Sequence, residues 1–493
     1  MPFSKKLIFL LILSALFGCG RKEADDSVGV AVVPTFFKLP AGGEVQLSAD
    51  VFGTLDKGVT WQINGPGSIG PSTGLYRSDP NFDSNRPTAT IQAVSQDDPS
   101  AIGFAAITMT SSSKSSSDPA VPVGSRSLVM GGYTVRAGQT IDLNGDSLLD
   151  MVSVSRSGNL AVVFLGVGNG LFRKQAEIPL GDPSGVTVGD FVNSEAFIAD
   201  LAIGSRDEQA VKIISGEAGS PHVAFPVTVT THLLPGGVTP SALAAGQFHG
   251  DVASRNSDLI VGTEEGSIIL FLQDRSTNQF SPQPSIAVGG KVTQMVTADF
   301  NGDELLDLAV LREGAGDVLV FLGDGAGAFS EPVSVPFSSP PTSLAVGDLN
   351  GDSIIDLAAG HQASSQVSTS NGTGDGTFLP AVYLSVDFPP GAIVVEDFNL
   401  DRINETPTRP GNPMLDIAVT LPSLREILVL FGDGTGKFIG KFNHSTGTTT
   451  PLTLISGFFL TGGFQSPQGF QSVSLVYLSE TEDKFHLLNN ISF

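Results

Sequence analysis

The sequence has almost no cysteine. A single one, Cys19, serves 493 residues, so no disulfide can form within one chain and no cysteine-built zinc site can exist. Charge is also scarce: 15% of residues are Asp, Glu, Lys or Arg, against roughly 25% in ordinary globular chains. Basic residues are the scarcer sign, 26 against 50 acidic, for a formal charge of −24. A nucleic-acid binder needs a basic face to neutralise phosphates, and this chain has the opposite balance. Only one Trp and four Tyr are present, a thin supply for sugar-stacking sites. Beyond the N-terminus no apolar run is long enough to cross a bilayer as a helix.

Glycine and hydrophobic residues are plentiful. There are 58 glycines and 31 prolines, and 41% of residues are hydrophobic. That composition belongs to a turn-rich, mostly β protein with sizeable cores, not to an acidic disordered tail. The length allows two to four domains at roughly 100–200 residues each.

At the N-terminus, Lys5 and Lys6 precede an apolar run from Leu7 to Phe17. The run is too short to span a membrane but suits a signal-peptide core. It ends in Leu16-Phe17-Gly18-Cys19, which resembles a bacterial lipoprotein lipobox. The resemblance implies cleavage of residues 1–18, lipidation of Cys19, and attachment by acyl chains alone. Cleavage removes two lysines and no acid, leaving 24 basic against 50 acidic residues and a charge of −26. Gly20 stands where an aspartate is associated with inner-membrane retention, so the expected address is the outer membrane. Its periplasmic face and the cell surface both stay open.

Residues 19–28 read as a polar tether. From 29 to 110, apolar residues alternate in short runs, as half-buried strands do. Val45, Leu47, Ala49 and Val51 share one phase, as do Val59, Trp61 and Ile63, and Ala89, Ile91 and Ala93. Ile107 and Met109 mark a last strand. About seven such strands in about 80 residues suggest a β-sandwich. Trp61-Gln62-Ile63-Asn64-Gly65 followed by Gly74-Leu75-Tyr76 resembles the bacterial immunoglobulin-like domains, with Trp61 as core anchor and a spacer role implied. Residues 111–125 are a Ser-, Pro- and Gly-rich linker.

The rest of the chain repeats. Asp142-Leu143-Asn144-Gly145-Asp146-Ser147-Leu148-Leu149-Asp150 aligns with Asp299-Phe300-Asn301-Gly302-Asp303-Glu304-Leu305-Leu306-Asp307. Both align with Asp348-Leu349-Asn350-Gly351-Asp352-Ser353-Ile354-Ile355-Asp356. A fourth copy starts Asp397-Phe398-Asn399-Leu400-Asp401 and takes an insertion, Arg402–Pro413, before Asp416. Weaker copies begin at Asp190, Gln247 and near Ser456. Seven anchors about 50 residues apart fit propeller blades. Each repeat reads as an apolar strand, the acidic loop, two more apolar strands, a glycine turn closed by Phe, and a fourth strand. The turns are Gly166 to Phe172, Gly323 to Phe329, Gly372 to Phe378 and Gly432 to Phe438. The closing Phe is expected to pack between neighbouring repeats.

This grammar resembles the FG-GAP/VCBS repeats, best known from the integrin α propeller, over residues 126–493. The expected fold is all-β: a seven-bladed β-propeller preceded by an immunoglobulin-like β-sandwich. Residues 126–132 are expected to supply the outer strand of the final blade and close the ring.

In the acidic loops, Asp-x-Asn-Gly-Asp-x-x-x-Asp places oxygen donors at positions 1, 3, 5 and 9, with a backbone carbonyl at position 7. Calcium takes six to eight oxygens. The expected ligands are Asp142, Asn144, Asp146, Leu148 and Asp150; Asp299, Asn301, Asp303, Leu305 and Asp307; Asp348, Asn350, Asp352, Ile354 and Asp356; and Asp397, Asn399, Asp401 and Asp416. That makes three to four Ca2+ sites. Crowded carboxylates repel, so a divalent cation would couple to stability. The alternative is metal-free Asx turns. An EF-hand is excluded because position 12 holds Ser153, Val310 or Ala359 in place of Glu. Position 6, usually Gly in such loops, is Ser147, Glu304 or Ser353, which threatens strain.

Little looks catalytic. Gly65 to Gly70 matches the dinucleotide-binding pattern and Gly70 to Gly74 the hydrolase elbow, both without the strand–turn–helix context those motifs need. The six histidines show no ligand spacing. The expectation is a calcium-stabilised, lipid-anchored envelope protein, monomeric and not an enzyme, that binds a protein or glycan. A lectin-like propeller and a polysaccharide-acting propeller enzyme are the alternatives.

Overall fold

The computed structural model describes residues 28–488 apart from 34–35, 41, 53, 55, 81–87, 111–125, 130–136, 145–148, 169–170, 193–198, 216–227, 251–256, 275, 399–401, 404–411, 447–449, 458–473 and 480–483. Cys19, the tether and the Ser-rich linker therefore lie outside the described residues.

The chain is all-β, and from Ala137 to Ser445 it forms antiparallel sheets built on four strands each, whose order follows the sequence. Sheet I holds Ala137–Ile141, Asp150–Ser155, Leu160–Gly168 and Leu171–Pro179. Sheet II holds Pro183–Gly189, Asp200–Ser205, Ala210–Ser215 and Thr228–Leu233. Sheet III holds Pro240–Gly246, Asp258–Thr263, Ser267–Asp274 and Gln279–Pro282, and Ile286–Ala287 also pairs with its third strand. Sheet IV holds Val292–Ala298, Asp307–Arg312, Asp317–Phe321 and Val333–Pro336. Sheet V holds Ser343–Gly347, Asp356–His361, Gln366–Ser370 and Val382–Ser385. Sheet VI holds Ile393–Glu396, Asp416–Leu421, Glu426–Gly432 and Phe438–Ser445. Sheet VII runs Pro451–Gly457, Ser474–Ser479, Lys484–Leu488 and then Arg126–Val129.

That last strand comes from the start of the repeat region. Arg126 pairs with Leu487 and Val129 with Lys484, the placement expected for closing a ring. The first strands of successive sheets contact one another in turn from sheet I to sheet VII. Pro451–Gly457 then contacts Ala137–Ile141, so the order is cyclic. The arrangement is propeller-like.

The second strand of each of sheets I to VI is buried on both faces because sheets pack on both sides of it. Leu308 and Val310 join Ala242, Ala244 and Ile260 of sheet III in one apolar layer. Ala309 and Leu311, pointing the other way, join Leu344, Leu357 and Ala359 of sheet V in the next.

The N-terminal strands form two further groups. Gly29–Val33 pairs with Ser48–Phe52, and Phe36–Pro40, Ile102–Thr110, Thr88–Ser95 and Val59–Asn64 make a four-stranded sheet. Trp61 is buried, as are Val45, Leu47, Val51, Ala89, Ile91, Ala93, Ile107 and Met109, matching the alternation. The attachment of this unit is not legible in the sequence. Glu44–Gln46 pairs with Leu75–Arg77 on one side and with the outer strand of sheet VI on the other, Glu44 opposite Lys441 and Val45 opposite Gly440. Sheet VI thereby continues to seven strands.

Candidate metal loops and the buried aspartate clamp

The loops at 299 and 348 wrap around their first carboxylate. Asp299 Oδ1 accepts from the Gly302 N–H at 2.7 Å and from those of Asn301 and Asp303 at 3.3 Å, while Oδ2 accepts from Glu304 N–H at 2.8 Å. Asn301 Oδ1 accepts from Asp303 N–H, its amide donates to Asp303 Oδ2, and Asp303 Oδ1 accepts from Leu305 N–H. The 348 loop repeats these bonds: Asp348 takes the N–H groups of Gly351, Asp352 and Ser353, Asn350 bridges to Asp352, and Asp352 takes Ile354 N–H. Such Asx turns require a left-handed step. Glu304 and Ser353 stand at φ +66° and +68°, a conformation that costs a residue with a Cβ about 1–2 kcal/mol. The strain expected at position 6 is present. Beyond position 9 the chain runs on as strand, Asp307–Arg312 and Asp356–His361.

The ninth-position aspartates behave differently from the rest of the loop. Asp150, Asp307, Asp356 and Asp416 are all fully buried. In each, Oδ2 accepts the N–H of the residue after the first position, from Leu143, Phe300, Leu349 and Phe398 at 2.7–3.0 Å. In each, Oδ1 accepts the N–H of a glycine 16 residues on, Gly166, Gly323, Gly372 or Gly432, at 2.8–2.9 Å. One carboxylate thus ties the acidic loop to the start of the glycine turn.

Where the acidic pattern is missing, Asp258 keeps both halves of this clamp and Asp200 the half that holds the loop. Asp258 accepts from Phe248 and His249 N–H with Oδ2 and from Gln273 N–H with Oδ1. Asp200 accepts from Phe191 and Val192 N–H with Oδ2. Both lie in the weaker copies that begin at Asp190 and Gln247. The signal was there, since Asp opens the second strand in every one of sheets I to VI.

Burial sets the proton affinity of these groups. Asp200 is pushed up to about 7, chiefly by burial and further by the charge of Asp190, against the two N–H bonds. Burial raises Asp356 to about 6 and Asp307 above the usual carboxylate range, with the loop acids Asp352 and Asp348, or Asp303 and Asp299, adding to the rise.

The glycine turn completes the link to the preceding repeat. Gly327 N–H donates to Phe248 O, Gly376 N–H to Phe300 O, and Gly436 N–H to Leu349 O, at 3.0–3.3 Å. Sheet III has no such glycine turn, and there the Gln273 side-chain amide donates to Phe191 O at 3.0 Å. The closing phenylalanines follow, Phe329 edge-on to Phe248 at 5.5 Å and Phe378 edge-on to Phe300 at 5.7 Å, as the sequence led one to expect.

Of the other expected ligands, Asp142, Asn144 and Asp397 are described, and Asp142 accepts Asn144 N–H at 3.3 Å. Asp146, Leu148, Asn399 and Asp401 lie outside the described residues. Among the described residues no three acidic or histidine side chains stand close enough to share one ion.

The sequence model of the FG-GAP-like repeat family matches residues 255–310 and 299–359. No curated protein matches the chain. Among solved structures, BBS1N in complex with ARL6DN, soaked with lead, is similar at 16% identity over 75% of this chain and 94% of that one, with a TM-score of 0.48. Saccharomyces cerevisiae Sqt1 is similar at 10% identity over 73% and 97%, with a TM-score of 0.49. U3-55K is similar at 13% identity over 73% and 97%, with a TM-score of 0.45. Residues 255–359 thus carry FG-GAP-like repeats, set in an all-β chain of four-stranded antiparallel sheets arranged like a propeller.

Proposed function

We propose that the chain is a non-enzymatic binding module of the bacterial envelope, held by lipid at Cys19 and built as a closed seven-bladed propeller with an immunoglobulin-like unit at its N-terminal side. The observation that carries the reading is the cyclic order of sheets I to VII, with Arg126–Val129 added to the outer edge of the last. A ring sealed by strand exchange between its two ends is a stiff frame for variable loops. The insertion in the loop of sheet VI is the proposed ligand contact. Its ends pair with each other as a short ribbon, Arg402 with Pro413 and Ile403 with Asn412, which closes its base.

Calcium is part of the proposal. The donors of one loop would be Asp299, Asn301, Asp303, the Leu305 carbonyl and Asp307, all hard oxygens suited to a hard cation, with the loop drawing its carboxylates closer than they stand here. Those of the next would be Asp348, Asn350, Asp352, Ile354 and Asp356. Bound calcium would supply positive charge against the crowded acids. Asp307 and Asp356 already hold two N–H groups each, so the ion would draw on their remaining lone pairs.

The test is a binding screen of the mature chain against glycans and matrix proteins, with and without calcium and with residues 402–413 shortened to a glycine turn. Binding lost on shortening supports the reading, whereas turnover of any substrate without calcium overturns it. Thermal unfolding with and without a chelator tests the metal alone: an unchanged midpoint removes calcium from the proposal. Mass spectrometry of the membrane-extracted chain tests acylation of Cys19.

A further inference from the structure

The outer strands of the sheets differ in how their open edges are guarded. Unpaired strand edges are templates for another chain, and proteins guard them with charge, proline, short length or cover. Sheet VI is covered by Glu44–Gln46. The outer strand of sheet I carries Arg173, Lys174 and Glu177. Those of sheets III and IV are four residues long and end in Pro282 and Pro336. In sheet V it is four residues long, two beyond Pro380, and in sheet VII it is four residues long and includes Arg126.

Sheet II is the least guarded: its outer strand is the longest of those without charge, and Pro226 stands outside it, two residues before its start. Thr228–Leu233 is six residues, Thr-Val-Thr-Thr-His-Leu, without charge or proline, and all but His232 are exposed. Val229 and Leu233 lie on one face at 46% and 73% exposure. The opposite face is anchored, since the His232 ring stands edge-on to Phe280 of sheet III at 5.1 Å. β-Branched residues hold the extended form. Main-chain pairing runs to Ala210–Ser215 on one side, and no strand pairs on the other among the described residues. Two residues past Leu233 a groove of about 320 Å³ opens, lined by Pro235, Val238, Ile269, Pro282 and Pro284.

We propose that this edge accepts an extended strand from a basic partner protein, bonded main chain to main chain, with its apolar side chains over Val229 and Leu233. The chain already builds one such junction, where Glu44–Gln46 joins sheet VI with Glu44 opposite Lys441. Charge selects the occupant. At −24, two copies of this chain repel, whereas a strand flanked by Lys or Arg is drawn in.

The experiment uses the whole mature chain at 0.15 M salt and a fluorescent peptide, Val-Thr-Val-Thr-Val between pairs of lysines. A control peptide of equal charge carries Pro at the central Val. Binding is read by anisotropy, and amide exchange locates it. The expected result is binding of the first peptide with protection of residues 228–233, at least tenfold weaker binding of the Pro peptide, and a similar loss in the Val229→Asp, Leu233→Asp chain. Those substitutions add acid, so they would strengthen a merely electrostatic contact. Equal binding of both peptides, undiminished binding to the double variant, protection elsewhere, no binding, or self-association through residues 228–233 each overturns the proposal. The peptide pair decides the matter even if the double variant does not fold.

Discussion

Replacing Asp307 by Ala and, separately, Asp258 by Ala distinguishes a clamp from a metal ligand. Asp307 lies in an acidic loop and Asp258 in a loop that begins with Gln247, yet both are fully buried and gather backbone N–H groups. Alanine leaves two N–H groups unpartnered at 307 and three at 258. Each unsatisfied buried donor costs about 1–3 kcal/mol. The expected loss is therefore about 2–6 kcal/mol at 307 and no less at 258. The cost of burying the charge disappears with the carboxylate, which pulls both numbers towards the lower end. Urea unfolding in excess chelator reads the loss as a shift of midpoint at constant slope. The reasoning fails if Asp258→Ala is near neutral, or if Asp307→Ala matters only when calcium is present.

Three further outcomes follow from the same geometry. Glu304→Gly and Ser353→Gly should each stabilise by about 0.5–1 kcal/mol, since glycine relieves the left-handed step at φ +66° and +68° but widens the unfolded ensemble; thermal unfolding without calcium checks this. Gly323, Gly372 and Gly432 should not tolerate Ala, because a Cβ would fall 2.2–2.5 Å from the carbonyl oxygens of Leu306, Ile355 and Leu415; about 1–3 kcal/mol or more should be lost in urea titrations. Asp200 makes stability depend on pH. Its carboxyl sits at about 7 when folded and near 4 when unfolded, so between those values the folded chain holds the extra proton. Its contribution therefore falls as pH rises from about 4 to 7, by roughly 4 kcal/mol, and stays flat above. Asp200→Asn should flatten that slope and raise stability at pH 8, because a single amide oxygen can take both the Phe191 and Val192 N–H groups that Oδ2 now holds.

Repetition made the frame legible. The spacing of the acidic anchors and the glycine turns gave the strand order of each sheet, and the orphan run before Asp142 pointed to the strand that joins Lys484–Leu488. Alternation gave the N-terminal core around Trp61. Two things stayed hidden for physical reasons. A carboxylate in an acidic motif looks the same in sequence whether it faces an ion or the backbone, and only the common bond to a glycine 16 residues on reveals what Asp150, Asp307, Asp356 and Asp416 share. The pairing of Glu44–Gln46 with sheet VI rests on main-chain groups, which carry no side-chain signature.

The clamp also explains how the ring persists where the acidic pattern decays. Sheets II and III lack the Asn and Asp pair at positions 3 and 5, so a frame that relied on calcium alone would be weakest there. Instead Asp200 and Asp258 keep their N–H partners, and Gln273 supplies from its side chain the donor that glycine turns supply elsewhere, reaching Phe191 O. The structural unit is therefore aspartate, second-position carbonyl and a donor from the next repeat. The acidic loops are an addition to that unit, since the bonds of Asp200 and Asp258 stand without them.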